Sequence, residues 1–171
     1  MSSSGLQIKE ATRKDVPLIL SFIKGLAEYE RLSHEVVADE KTLRQTLFGR
    51  RAYAEVVIAR YGGKPAGFAL FFHNYSTFLG RPGIYLEDLF VWPEYRSKGI
   101  GRALLVHLAK LAQERKCGRL EWAVLNWNEP AINFYKKLGA VPMSEWTVFR
   151  AAGVALGSLA TGQNNQKIRM R

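Results

Sequence analysis

The chain has 171 residues, 47% of them hydrophobic and 23% charged, and a formal net charge of +10. This length supports one domain with a real hydrophobic core, and the composition is that of an ordinary globular protein. No apolar stretch reaches the roughly 20 residues of a membrane-spanning helix, and the first residues lack the apolar core of a secretory signal. We therefore expect one cytoplasmic domain over residues 1–171, with flexible tails at 1–5 and about 161–171.

The charge and the metal-ligating residue types narrow the possible partners. One cysteine, Cys117, excludes an internal disulfide and a cysteine-based zinc site. The three histidines are far apart and lack metal-ligand spacing, so we expect no metal. The positive charge favours nucleic acid, a membrane surface or a phosphate-rich cofactor. Charge alone does not separate these three classes. The sequence has no RNA-binding aromatic signature or helix-turn-helix pattern, and we expect no nucleic-acid partner and no membrane partner.

The apolar periodicity predicts an alternation of strands and helices. In chain order we expect a strand at 6–11, helices at 15–26 and 39–48, a hairpin of strands 54–60 and 65–73, a strand at 85–91, a helix from 100 closed by Gly118, a strand at 119–124, a helix at 128–138, a strand at 146–150 and a helix at 152–160. Adjacent strands before a strand–helix–strand unit predict one mixed sheet with helices on both faces.

The turn between strand 85–91 and the next helix has the composition of an anion site. It reads Arg96-Ser-Lys-Gly-Ile-Gly-Arg102. The first backbone amides of a helix have no intrahelical partner, glycines let a ligand approach the main chain, and the helix dipole favours an anion. A Walker loop is excluded because no Gly-Lys-Ser/Thr follows. A Rossmann fingerprint is excluded because it needs glycine at position 104, which is Leu104. The turn is therefore a candidate pyrophosphate cradle or a plain glycine-rich turn.

A second motif follows the next predicted strand. It reads Asn126-Trp-Asn-Glu-Pro-Ala-Ile-Asn-Phe-Tyr-Lys-Lys-Leu-Gly-Ala140. In this order, the strand 85–91, the turn 96–102 and the second motif resemble the GNAT superfamily of N-acetyltransferases. The resemblance implies a GNAT-type α/β fold: a mixed, mostly antiparallel sheet flanked by helices on both faces, with a central splayed parallel strand pair.

Three blocks resemble one branch of that superfamily, the diamine acetyltransferases. These blocks are Leu26-Ala-Glu-Tyr-Glu30, Tyr85-Leu-Glu-Asp-Leu-Phe-Val91 and Trp127-Asn-Glu-Pro130. The branch contains spermidine/spermine and thialysine N-acetyltransferases. The resemblance implies acetyl transfer from acetyl-CoA to a primary amine of a small cation (diamine, polyamine or lysine analogue) by direct attack in a ternary complex.

The resemblance also assigns the cofactor-binding residues. Main-chain groups of the strand would pair with the pantetheine arm, backbone amides of the turn would hold the pyrophosphate, and the start of the later helix would complete the site. These residues are Leu89, Phe90, Val91, Arg96, Ser97, Lys98, Gly99, Ile100, Gly101, Arg102, Asn128, Pro130 and Ala131. An exposed amide near Phe90 would donate to the oxyanion.

Two residues receive catalytic roles from the resemblance. Tyr135 corresponds to the general acid, since a phenol is protonated at neutral pH and can donate to the departing thiolate. Glu87 would bind the amine or pass its proton through water. Simple alternation would put Leu86 and Asp88 on one face of the strand, and Tyr85, Glu87 and Leu89 on the other. The alternatives are a core tyrosine and a salt-bridged strand carboxylate.

The remaining predicted contacts concern the amine. The resemblance implies substrate-binding roles for Tyr29, Glu30, Glu87, Asp88, Glu121 and Trp122. Asn126 stands where relatives often carry an acid, so we expect spermine to be a poorer substrate than a short diamine or lysine analogue. The resemblance also implies a homodimer, with Trp146–Arg150 at the interface. A protein or peptide N-acetyltransferase and a non-catalytic CoA-binding module stay open as alternatives.

Overall fold

A computed structural model gives the fold for residues 5–162. It divides the chain into two compact units, one ending at Trp127 and the other beginning at Asn128. The single domain over 1–171 stays a prediction. The tails predicted at 1–5 and 161–171 fall mostly on residues 1–4 and 163–171, which lie outside the described residues.

The first unit is built on a five-stranded sheet. Its strands follow one another in sequence order: β1 (Leu6–Glu10), β2 (Glu55–Tyr61), β3 (Lys64–Ser76), β4 (Arg81–Val91) and β5 (Leu120–Trp122). All neighbours are antiparallel except β4 and β5, which are parallel. The mixed, mostly antiparallel sheet is therefore confirmed, with the parallel pair at one edge of the described sheet.

Three helices accompany the sheet: α1 (Val16–Tyr29), α2 (Glu40–Phe48) and α3 (Ile100–Glu114). The start of α2 is fixed by Asp39, whose carboxylate accepts from the Thr42 amide at 2.7 Å. Before α1, the Thr12 amide and hydroxyl both donate to Asp15 at 2.8 Å. The predicted cap Asp15 thus serves a short turn before α1, and its side chain makes no cap hydrogen bond to the helix itself.

The core on one side of the sheet joins α1 and α2 to alternate residues of β2, β3 and β4. It contains Phe22, Phe68 and Phe90, with the rings of Phe22 and Phe68 stacked at 5.1 Å. The buried stripe of α3, Ile100, Leu104 and Leu108, lies outside this cluster, and α3 contacts β3 and β4. The helices therefore flank the sheet as the resemblance predicted.

Two element ends differ from the sequence-based expectation. Strand β4 begins at Arg81 because the β3–β4 ladder continues to the pair Ser76–Arg81. Helix α3 ends at Glu114, and the left-handed residue after it is Lys116, with φ of 56°. The prediction that Gly118 closes the helix is wrong. Gly118 instead lets the chain pass close to Leu79, because an added Cβ would lie 2.7 Å from its Cδ1.

A β-bulge at Glu87 corrects the predicted faces of β4. Leu70 pairs with Asp88 and Phe71 pairs with Leu86, so Glu87 has no partner across the β3–β4 ladder. Because an extra residue reverses the alternation, Leu86 and Asp88 lie on opposite faces. Asp88 shares the face of Leu70, which packs against the α1–α2 core. The prediction that Leu86 and Asp88 share a face is therefore wrong.

The second unit contains α4 (Glu129–Lys137) and α5 (Gly153–Ala160), both close to the predicted helices. Asn128 caps α4 by accepting from the Ala131 amide at 3.3 Å. The strand predicted at Trp146–Arg150 is wrong: this segment has no regular structure, and Val148 and Phe149 are 84% and 92% exposed. A β-rich segment becomes a strand only when a neighbour completes its ladder, and the described residues supply none.

Two features of residues 5–162 concern membranes and metals. No helix in this range combines the length and apolarity that a bilayer crossing requires. No three His, Cys, Asp or Glu side chains in the same range gather where a metal ion could be held.

Candidate active site

The turn before α3 presents an open row of backbone amides. Ser97 and Gly99 are left-handed, with φ of 60° and 76°, and the first helical hydrogen bond runs from the Ala103 amide to the Gly99 carbonyl at 2.9 Å. Within residues 5–162, no hydrogen-bond acceptor is found for the backbone amides from 97 to 102. A Cβ added at Gly99 or Gly101 would meet nothing within 4 Å. This combination fits an anionic group lying against the main chain.

The three cations of this turn have different environments. Arg96 donates from Nε to the Val91 carbonyl at 3.1 Å, and its guanidinium lies 4.7 Å from the ring centroid of Tyr29. Lys98 lies over the rings of two tyrosines, Tyr61 and Tyr95. Arg102 is exposed in the first turn of α3. Arg96 therefore joins the predicted cofactor turn to the predicted substrate residue Tyr29.

The end of β4 has one open edge. The parallel ladder with β5 stops at the pair Leu86–Trp122, whereas β4 continues to Val91. In the described chain, the segment 87–91 therefore has a strand partner only on its β3 side. It includes Leu89, Phe90 and Val91, the residues predicted to pair with the pantetheine arm. An extended ligand can add to such an edge through main-chain hydrogen bonds.

Three carboxylates, Glu30, Glu87 and Asp88, interact electrostatically near the bulge. Burial, reinforced by the nearby charges of Glu87 and Glu30, raises the pKa of Asp88 to about 6. Burial also raises the pKa of Glu30, the residue that follows α1. Glu87 is exposed. Carboxylates that oppose one another's ionisation gain from a cation between them, so this cluster can hold an ammonium group.

Tyr29, the residue before Glu30, belongs to an aromatic pair. The rings of Tyr29 and Trp127 are 6.2 Å apart, and the Arg31 guanidinium lies 5.6 Å from the Trp127 centroid. Trp127 received no role from the sequence, although it lies inside the second motif. The motif could have drawn attention to Trp127, but its contact with Tyr29 of α1 is visible only in the tertiary structure.

Glu121 and Trp122 lie on β5, beside Tyr85 and Leu86. Glu121 forms an ion pair with Arg119 at 2.8 Å and accepts from the Asn74 amide at 2.7 Å. Its charge is therefore already balanced within the first unit. Trp122 is half-buried. Their contact with an amine stays a prediction.

The remaining predicted residues belong to the second unit. Asn128 is buried and serves as the cap of α4, with Pro130 and Ala131 in the first turn. Tyr135 is half-buried, and its ring lies 5.4 Å from that of Phe134. Their roles in binding and catalysis stay predictions.

Comparison with known proteins decides the family. The model of the Acetyltransferase (GNAT) family matches residues 23–140, which include the turn, the open edge and the carboxylates. The chain belongs to this family. The acetyltransferase is 38% identical to the thialysine N-epsilon-acetyltransferase of Mus musculus over 165 residues, covering 90% of this chain and 96% of the relative. It is therefore an acyltransferase that resembles the diamine and polyamine branch.

Two further comparisons agree with this assignment. The acetyltransferase is 34% identical to the L-ornithine N5-acetyltransferase of Arabidopsis thaliana, covering 90% of this chain and 87% of the relative. Among solved structures, it matches an integron cassette protein from V. cholerae with a TM-score of 0.77 and 30% identity, covering 91% and 98% of the two chains. The fold predicted from the resemblance is thus confirmed.

Proposed function

We propose that this enzyme transfers an acetyl group from acetyl-CoA to a primary amine of a small cationic substrate. The substrate classes are a diamine, a polyamine and a lysine analogue, of which we favour the lysine analogue. The observation that carries the proposal is the electrostatic cluster of three carboxylates: Glu87 and Asp88 lie on β4, which leads into the glycine turn, and Glu30 follows α1. The cluster supplies negative charge for an ammonium group, and the turn supplies amides for a phosphate group.

The donor site rests on the turn and on the open edge of β4. The space above Gly99 and Gly101 and the amides of 97–102 fit a pyrophosphate. The edge at 87–91 fits the amide groups of a pantetheine arm. Lys98 and Arg102 add full positive charges beside these groups, so phosphates gain both directional hydrogen bonds and Coulomb attraction.

The amine site rests on the carboxylates at the bulge. An alkyl ammonium has an ordinary pKa near 10 and must lose a proton before it can attack. Asp88 and Glu30 would hold the cation, and Glu87, which is exposed, would pass the proton to water. The relatives named for thialysine and ornithine favour a substrate with one terminal amine on a short side chain.

The reaction then needs one bond formed and one broken. The amine nitrogen would use its lone pair to form a bond to the thioester carbonyl carbon, and collapse of the intermediate would break the carbon–sulfur bond. An amide of the β4 edge near Phe90 would stabilise the oxyanion. Tyr135 would give its phenolic proton to the departing thiolate, as the family resemblance implies.

An amine panel tests the proposal. Thialysine, ornithine, lysine, putrescine, spermidine, spermine and a lysine peptide are each incubated with acetyl-CoA, and thiol release is measured. We expect turnover with the short amines and little with spermine, because Asn126 is an amide and cannot attract a second ammonium group. Preferred turnover of the peptide would support a protein acetyltransferase instead. No turnover with any amine, despite acetyl-CoA binding, would support a non-catalytic CoA-binding module.

We also propose that the enzyme is a homodimer. In a single chain, Trp146, Val148 and Phe149 are 72%, 84% and 92% exposed. Burying such apolar surface contributes roughly 25 cal/mol per Å², so contact with a second copy would stabilise this segment. Light scattering at micromolar concentration tests the proposal, and a monomer as the sole species would contradict it.

A further inference from the structure

The ammonium group of Lys98 lies over two tyrosine rings. Its Nζ is 5.3 Å from the centroid of Tyr61 and 5.2 Å from that of Tyr95, and the two centroids are 6.3 Å apart. A cation within about 6 Å of an aromatic face is attracted by the quadrupole of the ring. We call Lys98 and these two rings the tyrosine clamp.

The three members come from separate parts of the first unit. Tyr61 is the last residue of β2, and Tyr95 ends a short 3-10 helix that follows β4. Lys98 lies between Ser97 and Gly99, both of which are left-handed. The chain therefore bends tightly on both sides of Lys98, within the turn whose amides lack acceptors.

The clamp holds the ammonium group without neutralising it. No carboxylate within the range 5–162 forms an ion pair with Lys98. Arg96, in contrast, uses its guanidinium on the Val91 carbonyl and the Tyr29 ring. Lys98 thus keeps its full charge for an external anion. A side chain that is already fixed loses less conformational entropy when it binds, which favours affinity.

We propose that the tyrosine clamp fixes Lys98 as a phosphate-recognising charge of the turn, and so sets the preference of the enzyme for a phosphorylated acyl donor over a phosphate-free thioester. The inference rests on the proposed function, in which the turn receives acetyl-CoA. Lys98 contacts the donor, and Tyr61 and Tyr95 act as positioning residues.

The experiment compares two donors, acetyl-CoA and acetyl-pantetheine, which lacks the phosphates. Lys98→Met is expected to raise the KM for acetyl-CoA about 3–10-fold, while the KM for acetyl-pantetheine stays at the wild-type value. The double variant Tyr61→Leu with Tyr95→Leu is expected to raise the KM for acetyl-CoA about 3-fold. The control variant, Tyr61→Phe with Tyr95→Phe, keeps both rings and is expected to have the wild-type KM for acetyl-CoA.

A double-mutant cycle separates the clamp from direct contact between the rings and the donor. If the rings act through the ammonium group, the two leucine substitutions add nothing in a chain that already carries Lys98→Met. A further rise in the KM for acetyl-CoA in that chain would overturn the clamp and indicate that the rings stack on the donor. An unchanged KM in Lys98→Met would also overturn it.

Calorimetry with CoA distinguishes failure of the inference from failure of the proposed function. If the wild-type enzyme binds CoA and Gly101→Glu weakens binding, the turn is the donor site. An unchanged affinity for CoA in Lys98→Met would then reject the clamp alone. If the wild-type enzyme does not bind CoA, the proposed function and the clamp are both rejected.

Discussion

Asp88 lies opposite Leu70 on the face of the sheet that packs against α1, because β4 carries its extra residue at Glu87. On this face, burial, reinforced by the nearby charges of Glu87 and Glu30, raises the pKa of Asp88 to about 6. Asp88 is still mostly ionised at neutral pH, but its charged form costs more in the folded chain than in the unfolded chain. A site built to hold a cation has this property, since bound ammonium relieves the repulsion among the carboxylates.

The first prediction concerns Asp88→Asn and pH. The folded chain binds the Asp88 proton more tightly than the unfolded chain, so the resulting stabilisation is complete below the ordinary pKa of 3.8 and is lost as the pH rises through about 6. At pH 8 only the wild type bears the cost of the buried charge. We expect Asp88→Asn to raise the free energy of unfolding by about 1–3 kcal/mol at pH 8 and to leave it nearly unchanged at pH 3.5.

Urea denaturation at the two pH values measures this difference. Glu94→Gln, which removes an exposed carboxylate, serves as the control and is expected to change the stability by less than about 0.5 kcal/mol at both pH values. The same Asp88→Asn variant should raise the KM for the amine, because one carboxylate of the cluster is lost. If Asp88→Asn were less stable than the wild type at pH 8, the folded chain would instead stabilise Asp88 as an anion.

The second prediction concerns the cradle. Gly101→Glu places a negative charge where a Cβ meets nothing within 4 Å, so we expect the Kd for acetyl-CoA to rise at least about 10-fold while the fold is kept. Gly101→Gln has nearly the same size without the charge and should weaken binding less. Gly99→Glu should also weaken binding, but it adds backbone strain at a φ of 76°. Calorimetry measures the Kd for acetyl-CoA, and thermal melts check that the fold is kept. Equal effects of Gly101→Glu and Gly101→Gln on the Kd would contradict a phosphate group at this position.

The third prediction concerns Tyr135. The phenylalanine variant keeps the ring and its contact with Phe134 and removes only the proton donor. If Tyr135 is the general acid, kcat should fall about 10²–10⁴-fold while acetyl-CoA binding stays unchanged. Both quantities are measured on the same preparation. An unchanged kcat would assign Tyr135 to packing, and lost binding would assign it to the donor site.

The fourth prediction tests the packing between α1 and β4. A Cβ at Gly25 would lie 2.6 Å from Cζ3 of Trp92 and 2.9 Å from Cε1 of Phe90. Alanine favours a helix over glycine by about 1 kcal/mol, but overpacking a core costs typically 1–3 kcal/mol. We expect Gly25→Ala to lower the free energy of unfolding by about 1–2 kcal/mol. Lys24→Ala, at the exposed residue before Gly25, is the control. A higher denaturation midpoint in Gly25→Ala would refute the prediction that a Cβ at this position overpacks the core.

Local patterns determined much of this fold from the sequence alone. The hairpin at Gly62-Gly63, the Asp39 cap of α2 and the Asn128 cap of α4 depend on residues close together in the chain, so their patterns predicted them. The glycine turn was also evident, because a strand, glycines and a helix follow one another without interruption. The family followed from the two motifs, and the comparison confirmed it.

Tertiary structure alone decided which side chains meet. The bulge at Glu87 depends on the ladder with β3, and strict alternation could not foresee it. The clamp of Lys98 by Tyr61 and Tyr95, and the approach of Trp127 to Tyr29, join residues from different elements. The strand expected at Trp146–Arg150 did not form, because a strand needs a partner as well as a β-rich sequence. Sequence patterns report the local preferences of the chain, whereas register, pairing and side-chain contacts depend on residues that folding brings together from distant positions.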